Sequence, residues 1–390
     1  MQGTPWRTQS WLVELVYGVA EAWTSSLVWA NIWIFALGTL TAALIGVSMY
    51  RSTRSPVTTG LAMIATIWLA GPFLQPRPVL ASYVLLAALV IVLQHREKAI
   101  WLAVPIIWIW AGVHGSWVIG GGLLVLEWLR TFDSRVFKAG VAALVATVLT
   151  AHGLGVWQIL VDFAGAQDAL ALMEEWKVPD FGDIVQAPYL LLVVGIIGAG
   201  MRGKLKPRDL IVILPFLFFG MTSRRAVFPA AIIVAPWAAL AIPSLRVARS
   251  SMSSKVAGAV LVLLALVTVS PMVLSPLGVL DDERFPTIEV QDAIVGLDIF
   301  HDDAVGGFLI YREWPDRLVY IDDRAELYGK EGLLEYNDAR QGRYKEVFEL
   351  YGFDAALSRK EWPLTKVLDS DGWRRVAEDE IFVVFISPER

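Results

Sequence analysis

Arg77 in QPRPVLASY, His114 in WAGVHGSWVIGGG, Glu175 in LMEEWKVPDF and the pair Arg224–Arg225 in TSRRAVFP interrupt some of the most apolar stretches of this chain. Their types suggest transfer chemistry on a phosphate-bearing substrate. Planar guanidiniums bind phosphate oxygens two at a time. A carboxylate can take the proton of an attacking hydroxyl, and an acid beside an aromatic, as in Glu175–Trp176, suits a sugar ring. An imidazole in a membrane-grade run is a functional hypothesis by default, although a lone histidine is more often a structural hydrogen-bond partner. Each of the others has a plainer reading too. Arg77, between two prolines at a rigid turn, could snorkel to lipid headgroups. The arginine pair could anchor topology, and an acidic loop is usually just solvated. His152 in TAHGLG repeats the His-Gly pair; the two pairs either line one cavity or are two helix ends capped by glycine. The glycines after His114 let helices pack closely.

The elements that must position these residues follow from composition. Of 390 residues 56% are hydrophobic, and 17 are Trp. A soluble domain of this length would not be so apolar. The expected class is an α-helical polytopic membrane protein with about ten transmembrane helices, near 27–49, 57–74, 78–94, 99–113, 116–129, 137–150, 187–201, 209–222, 226–244 and 256–275, over residues 1–278. SWLVELVYGVAEAW, within 1–26, carries Glu14 and Glu21 and reads as an amphipathic helix at the interface. With no cysteine there is no disulfide framework or thiol chemistry.

Loop charges orient the chain. Arg51 and Arg54, Arg96 and Lys98, Arg130 with Arg135 and Lys138, the 202–208 group, and Arg246, Arg249 and Lys255 fall in alternate loops. The positive-inside bias puts these in the cytoplasm. The expected location is the cell membrane, multi-pass, with both termini outside. Arg77, His114, Glu175, Arg224 and Arg225 then share the outer ends of the spans. An exported start without a signal suggests an upstream transmembrane helix.

From about residue 279 charges become frequent. GGFLIYR, RLVYID, DAALSR and EIFVVFIS read as strands, and PTIEVQDAIVGL, KEGLLEYNDARQ, YKEVFELYG and WPLTKVLDS as helices. Residues 279–390 are expected to form a small soluble α/β domain outside the cytoplasm. Asp322, Asp323 and Arg324 cluster at an expected strand end, a common place for ligand contact; a strand-to-helix turn with Asp as cap is the plainer and preferred reading.

LQPRPVLASYVLLAAL, WAGVHGSWVIGG, EEWKVPDF, RRAVFPAAIIVAPWAA and GGFLIYREWPDRLVYIDDRAELYG occur in that order, followed by YKEVFELYGFDAAL and GWRRVAEDEIFVVF. This order resembles a family of prokaryotic integral membrane proteins described as glycosyltransferase-like, of the GT-C type. Arg77–Pro78, His114–Gly115, Glu175–Trp176 and Ile321–Asp322–Asp323–Arg324 fall on segments such proteins typically carry. There are departures. Asp323 stands where the family usually has Gly, and Gln9-Ser10-Trp11-Leu12 stands for an early His-Glu-Trp-Leu. A first-loop catalytic acid of the GT-C type would lie upstream of Met1, with Glu14 as fallback.

The resemblance implies transfer of a sugar from a polyprenyl-phosphate carrier to an extracytoplasmic glycan or protein acceptor. Glu14, Glu175 and His114 are the catalytic candidates. Arg77, Arg224 and Arg225 are candidates for the lipid phosphate, and Trp176, Asp322, Asp323 and Arg324 for the acceptor. These residues fix no cofactor; a divalent cation is the one candidate, and no residue set for a metal is assigned. Membrane lipid is an expected partner and nucleic acid is not. A lipid or glycan transporter or flippase would instead show polar residues deep in the spans and related halves, and an inactive assembly partner in cell-envelope glycan synthesis is the third reading.

Overall fold

The computed structural model describes residues 8–24, 28–75, 77–165, 174–243, 285–313, 318–322 and 324–388. The chain divides into two compact units, Thr8–Leu160 with Glu174–Pro276, and Met1–Arg7 with Val161–Met173 and Leu277–Arg390.

The first unit is helical. Its elements run α1 (Trp11–Thr24), α2 (Val28–Thr53), α3 (Pro56–Trp68), α4 (Val79–Gln94), α5 (Ala103–Val113), α6 (Trp117–Thr131), α7 (Ser134–Ala146), α8 (Gly155–Gly165), α9 (Pro188–Met201), α10 (Leu210–Phe219) and α11 (Arg224–Ala238). Local chemistry sets several ends. Ser55 accepts from the Thr58 N–H ahead of Pro56, and Asp133 from the Arg135 N–H, so α3 and α7 start on side-chain caps. The centre is α11. Its RRAVFPAAIIVAPWA is small and apolar on every side from Ala226 on, so it is buried nearly all round, against α2, α3, α4, α9 and α10. Only its first two residues, Arg224 and Arg225, are charged. Phe228 stacks on Phe73 and meets Tyr83 edge-on at 4.9 Å, fixing the turn before α4 against the start of α11.

The described residues of this unit do not form the expected set of about ten transmembrane helices. Among the described residues two helices are long and apolar enough to cross a membrane, Ile32–Thr53 and Arg224–Ala241. A third span is reached only if Val79–Gln94 and Arg96–Val113 count as one, and these are bent by 106° at His95. The expected 256–275 span lies outside the described residues. The reason is length. Pro56–Trp68 gives way to a 3-10 turn at Gly71–Phe73, and α9 has 14 residues and α10 only 10. A 14-residue helix rises about 21 Å against about 30 Å of hydrocarbon. Apolar runs in sequence therefore overcounted spans.

Several of these short helices nevertheless turn an apolar face outward. Leu190, Leu191, Val194, Ile197 and Met201 on α9 are exposed, as are Leu210, Leu214 and Phe218 on α10. Spacings of three and four place each set on one side of its helix.

The second unit holds α12 (Ile288–Ala293), β1 (Ile299–His301), α13 (Asp303–Glu313), α14 (Ala325–Arg340), α15 (Lys345–Tyr351), β2 (Ala355–Arg359), α16 (Pro363–Ser370), β3 (Arg374–Glu378) and β4 (Phe382–Ile386). The sheet order is β1-β2-β4-β3. β1 and β2 are parallel, with Ile299 opposite Ala355; β4 is antiparallel to both β2 and β3, and a bulge falls at Arg375/Ala377. Ile299, Leu357, Phe382 and Val384 build the core with Val290, Val305, Phe308 and Leu309. GGFLIYR is helix rather than strand. Val305, Phe308 and Leu309 are buried at helical spacing, and the Asp302 carboxylate accepts the Ala304 N–H at 2.8 Å to start the turn. The described part of RLVYID, 318–322, is not a strand either. In α14, Gly329 breaks the helix at φ 63°, ψ −174°, a conformation open essentially to glycine.

Candidate functional site

Four of the residues singled out by type meet at one end of the helical unit. The Glu175 carboxylate accepts from Arg77 Nη1, and its other oxygen lies 3.6 Å from Arg225 Nε. The Arg225 guanidinium stands 5.1 Å over the Trp176 ring. The Arg224 N–H donates to the Lys177 carbonyl at 2.9 Å, fastening the Glu-Trp segment to the first turn of α11. Each partner comes from a different part of the chain: the turn before α4, the segment Glu174–Trp176, and the α11 N-terminus. An anion at a helix N-terminus meets unpaired N–H groups and the positive end of the dipole. Two arginines there add to the same field.

Arg225 is the poised member. Its ion pair with Glu175 is too long for a hydrogen bond, and among the described residues its N–H groups make none. Its side chain is 30% exposed. A guanidinium held by an aromatic face and a carboxylate, with its fork still open, is arranged to accept an anion bidentately.

His114 caps α5. Its Nδ1 accepts the Ser116 N–H at 3.0 Å and sits 2.8 Å from the Ser116 hydroxyl, so the ring proton belongs on Nε2. Burial, and then the positive charge of Arg225, push the imidazole down to about 3. A neutral ring can donate a hydrogen bond but does not carry a proton to trade at neutral pH. The adjacent Gly115 N–H donates to the Gln9 side-chain oxygen at 3.1 Å, which ties the start of the described chain to the α5–α6 turn. The sequence marked Gln9 only as a departure from the family's early His and gave it no role here, and Tyr83 was missed. Tyr83 is buried beside Phe228 and lies within the fields of Arg225, Glu175 and Arg77.

Other candidates do not join. Glu14 on α1 accepts from the Thr8 hydroxyl and contacts no member of the cluster among the described residues. His152 donates Nε2–H to the Thr8 carbonyl at 2.6 Å, a structural bond at a helix end. Among the described residues no group of three or more His, Asp or Glu is placed to hold a metal ion, so a divalent cation finds no ready ligand set there.

No family model matches this chain, and no curated protein matches it.

In the second unit, Asp322 is buried and forks onto Arg324, whose N–H and Nε donate to it at 2.9 Å. This is the turn-and-pair reading, with a carboxylate already satisfied. Asp323 lies outside the described residues. A denser polar cluster sits at the end of β1. Arg359 Nε donates to the buried Asp302, and the Tyr336 hydroxyl donates to Asp303 at 2.9 Å. His301 accepts the Tyr320 N–H on Nε2 at 3.1 Å, which leaves Nδ1 to donate to the Asp302 carbonyl at 2.9 Å. The HDDA segment carried the signal: three polar residues in a row where the short apolar strand β1 ends.

Burial first, then the hydrogen bond and charge of Asp302, push Asp303 up to about 6. The folded state therefore holds a proton that the unfolded chain has released above about pH 4. Stability of this unit should be full below about pH 4 and fall as pH rises through 6. The full linkage is about 3 kcal/mol, screened by partial exposure to about 2 or less. Amide exchange of the β2 and β4 strands in the full chain, compared at pH 4.5 and 7, reads this slope. Asp303→Asn should flatten it.

Proposed function

We propose that this chain is a membrane-bound transferase that moves a sugar from a polyprenyl-phosphate carrier to a glycan or protein acceptor on the extracytoplasmic side. One observation carries the reading: the Arg225 fork, open to solvent, braced by Trp176 and set beside Glu175 and Arg77 at the α11 N-terminus. Outward apolar faces on α9 and α10 support a lipid setting, and the basic loops at the other ends of the helices support the orientation. The reading needs no ten-helix scaffold.

The chemistry follows from the placement. The carrier phosphate enters between Arg225 and Arg77 and displaces the Glu175 carboxylate from them. Glu175 then takes the proton of the acceptor hydroxyl. The acceptor oxygen bonds to the anomeric carbon as the bond from that carbon to the phosphate oxygen breaks. The departing lipid phosphate gains negative charge, which the two guanidiniums stabilise most strongly in the transition state. Trp176 offers an apolar face for a sugar ring, and the His114 Nε2–H is a neutral donor.

The test is transfer by the purified full chain in vesicles supplied with a panel of lipid-linked sugars. A charged hydrogen bond is worth about 1.5–3 kcal/mol, so Arg225→Gln should lower kcat/KM about 10- to 100-fold. Transfer at the wild-type rate in that variant, or from no member of the panel by the wild type, defeats the reading.

A further inference from the structure

A second polar centre lies at the other end of the same helices, about 16 Å along α11 from Arg225 by helical rise. A cavity of about 170 Å³ opens there between α4, α6 and α11. Its lining holds both apolar and charged side chains. Leu123, Ile233, Pro236 and Trp237 are among its apolar lining residues, and Arg96, Glu127 and Arg130 are its charged ones.

The charges are unequally used. Glu127 is only 3% exposed and holds Arg130 through two bonds of 2.7 Å. Arg130 spends a third donor on Asp209 at 2.9 Å. Arg96 reaches Glu127 only at 3.6 Å, and among the described residues its guanidinium makes no hydrogen bond. Its side chain is 32% exposed. So Arg130 is neutralised twice over, while Arg96 faces the hollow with its donors unspent.

A hollow of this volume holds about six water-sized groups. That is room for one anionic head and the first carbons of a chain, not for a whole lipid. We propose that this cavity binds the phosphate head and proximal chain of a phosphate-monoester amphiphile, the head on Arg96 and the chain against Leu123 and Trp237. The proposal is independent of the transferase reading, because it uses neither Arg225, Arg77 nor Glu175. The phosphate chemistry has two sources, a lipid and free inorganic phosphate, and the chain-bearing wall selects the lipid.

The experiment is equilibrium binding of labelled dodecyl phosphate to the purified full chain in a neutral detergent. Arg96→Gln should weaken one class of sites at least 10-fold, Arg96→Lys should restore part of the loss, and Arg225→Gln should leave that class unchanged. Inorganic phosphate at 100-fold excess should fail to displace the amphiphile. Unchanged binding in Arg96→Gln overturns the site. Displacement by inorganic phosphate as effective as by dodecyl phosphate overturns the amphiphile as its ligand. Loss of this class in Arg225→Gln overturns its independence from the first centre.

Discussion

Glu175→Gln loses transfer by about 100- to 10,000-fold while the helical unit keeps its stability. The two halves of this expectation have separate causes. A general base contributes about that factor to rate, and an amide cannot take the proton. The stability cost is small because Glu175 and its partners are 30–42% exposed. Half-exposed ion pairs are worth about 1 kcal/mol or less. The variant also frees Arg77 and Arg225 from their internal anion. Carrier affinity should therefore hold or rise as turnover falls. Steady-state transfer, carrier binding and thermal melting on one preparation separate the three. A parallel fall in all three would mean that Glu175 is a structural brace.

The second large effect is in the other unit, at two neighbouring glycines. A Cβ on Gly306 would run into the Ile321 carbonyl oxygen and stand 2.9 Å from Asp322 Cβ and 3.0 Å from its Cα. Two of those three atoms are backbone, so nothing there swings aside. Gly306→Ala should destabilise the unit by about 3 kcal/mol, at the upper end of overpacking costs. Gly307 has no atom within 4 Å of the same position. It lies inside α13, where replacing glycine by alanine gains about 0.5–1 kcal/mol of helix propensity. Gly307→Ala should stabilise. Opposite signs at adjacent positions, read by amide exchange in the β2 and β4 strands, check the packing of α13 on 321–322. Equal effects would contradict it.

Residue type made part of the site legible. Arginine, glutamate and tryptophan in apolar surroundings are expensive, and each had to meet something. Arg77, Glu175, Trp176 and Arg225 meet one another. Glu14 does not, because a short loop partner, Thr8, is nearer to hand. The role of Gln9, seen in the sequence only as a departure from a family motif, and that of Tyr83 in ASYVLL show no pattern until the tertiary contacts form.

The fold was less readable. Apolar runs mark buried and lipid-facing helices alike, so hydropathy alone took α9 and α10 for spans although neither has the length. The bend at His95 could not be foreseen from composition. GGFLIYR shows the opposite failure. With Val305 just before it, buried Phe308 and Leu309 fall at helical spacing, but its β-prone residues read as strand, and the cap from Asp302 decided the matter. DAALSR and EIFVVFIS, short apolar runs between turn residues, do contain β2 and β4.

In the proposed reaction Arg77 and Arg225, 148 positions apart in sequence, hold one phosphate together. Carrier affinity in the wild type, Arg77→Gln, Arg225→Gln and the double variant shows whether they do. Shared engagement predicts that the two losses are coupled by about 1 kcal/mol or more, the double variant binding measurably tighter or weaker than the sum of the singles allows. Losses that add with no coupling, or no loss in either single variant, would contradict it.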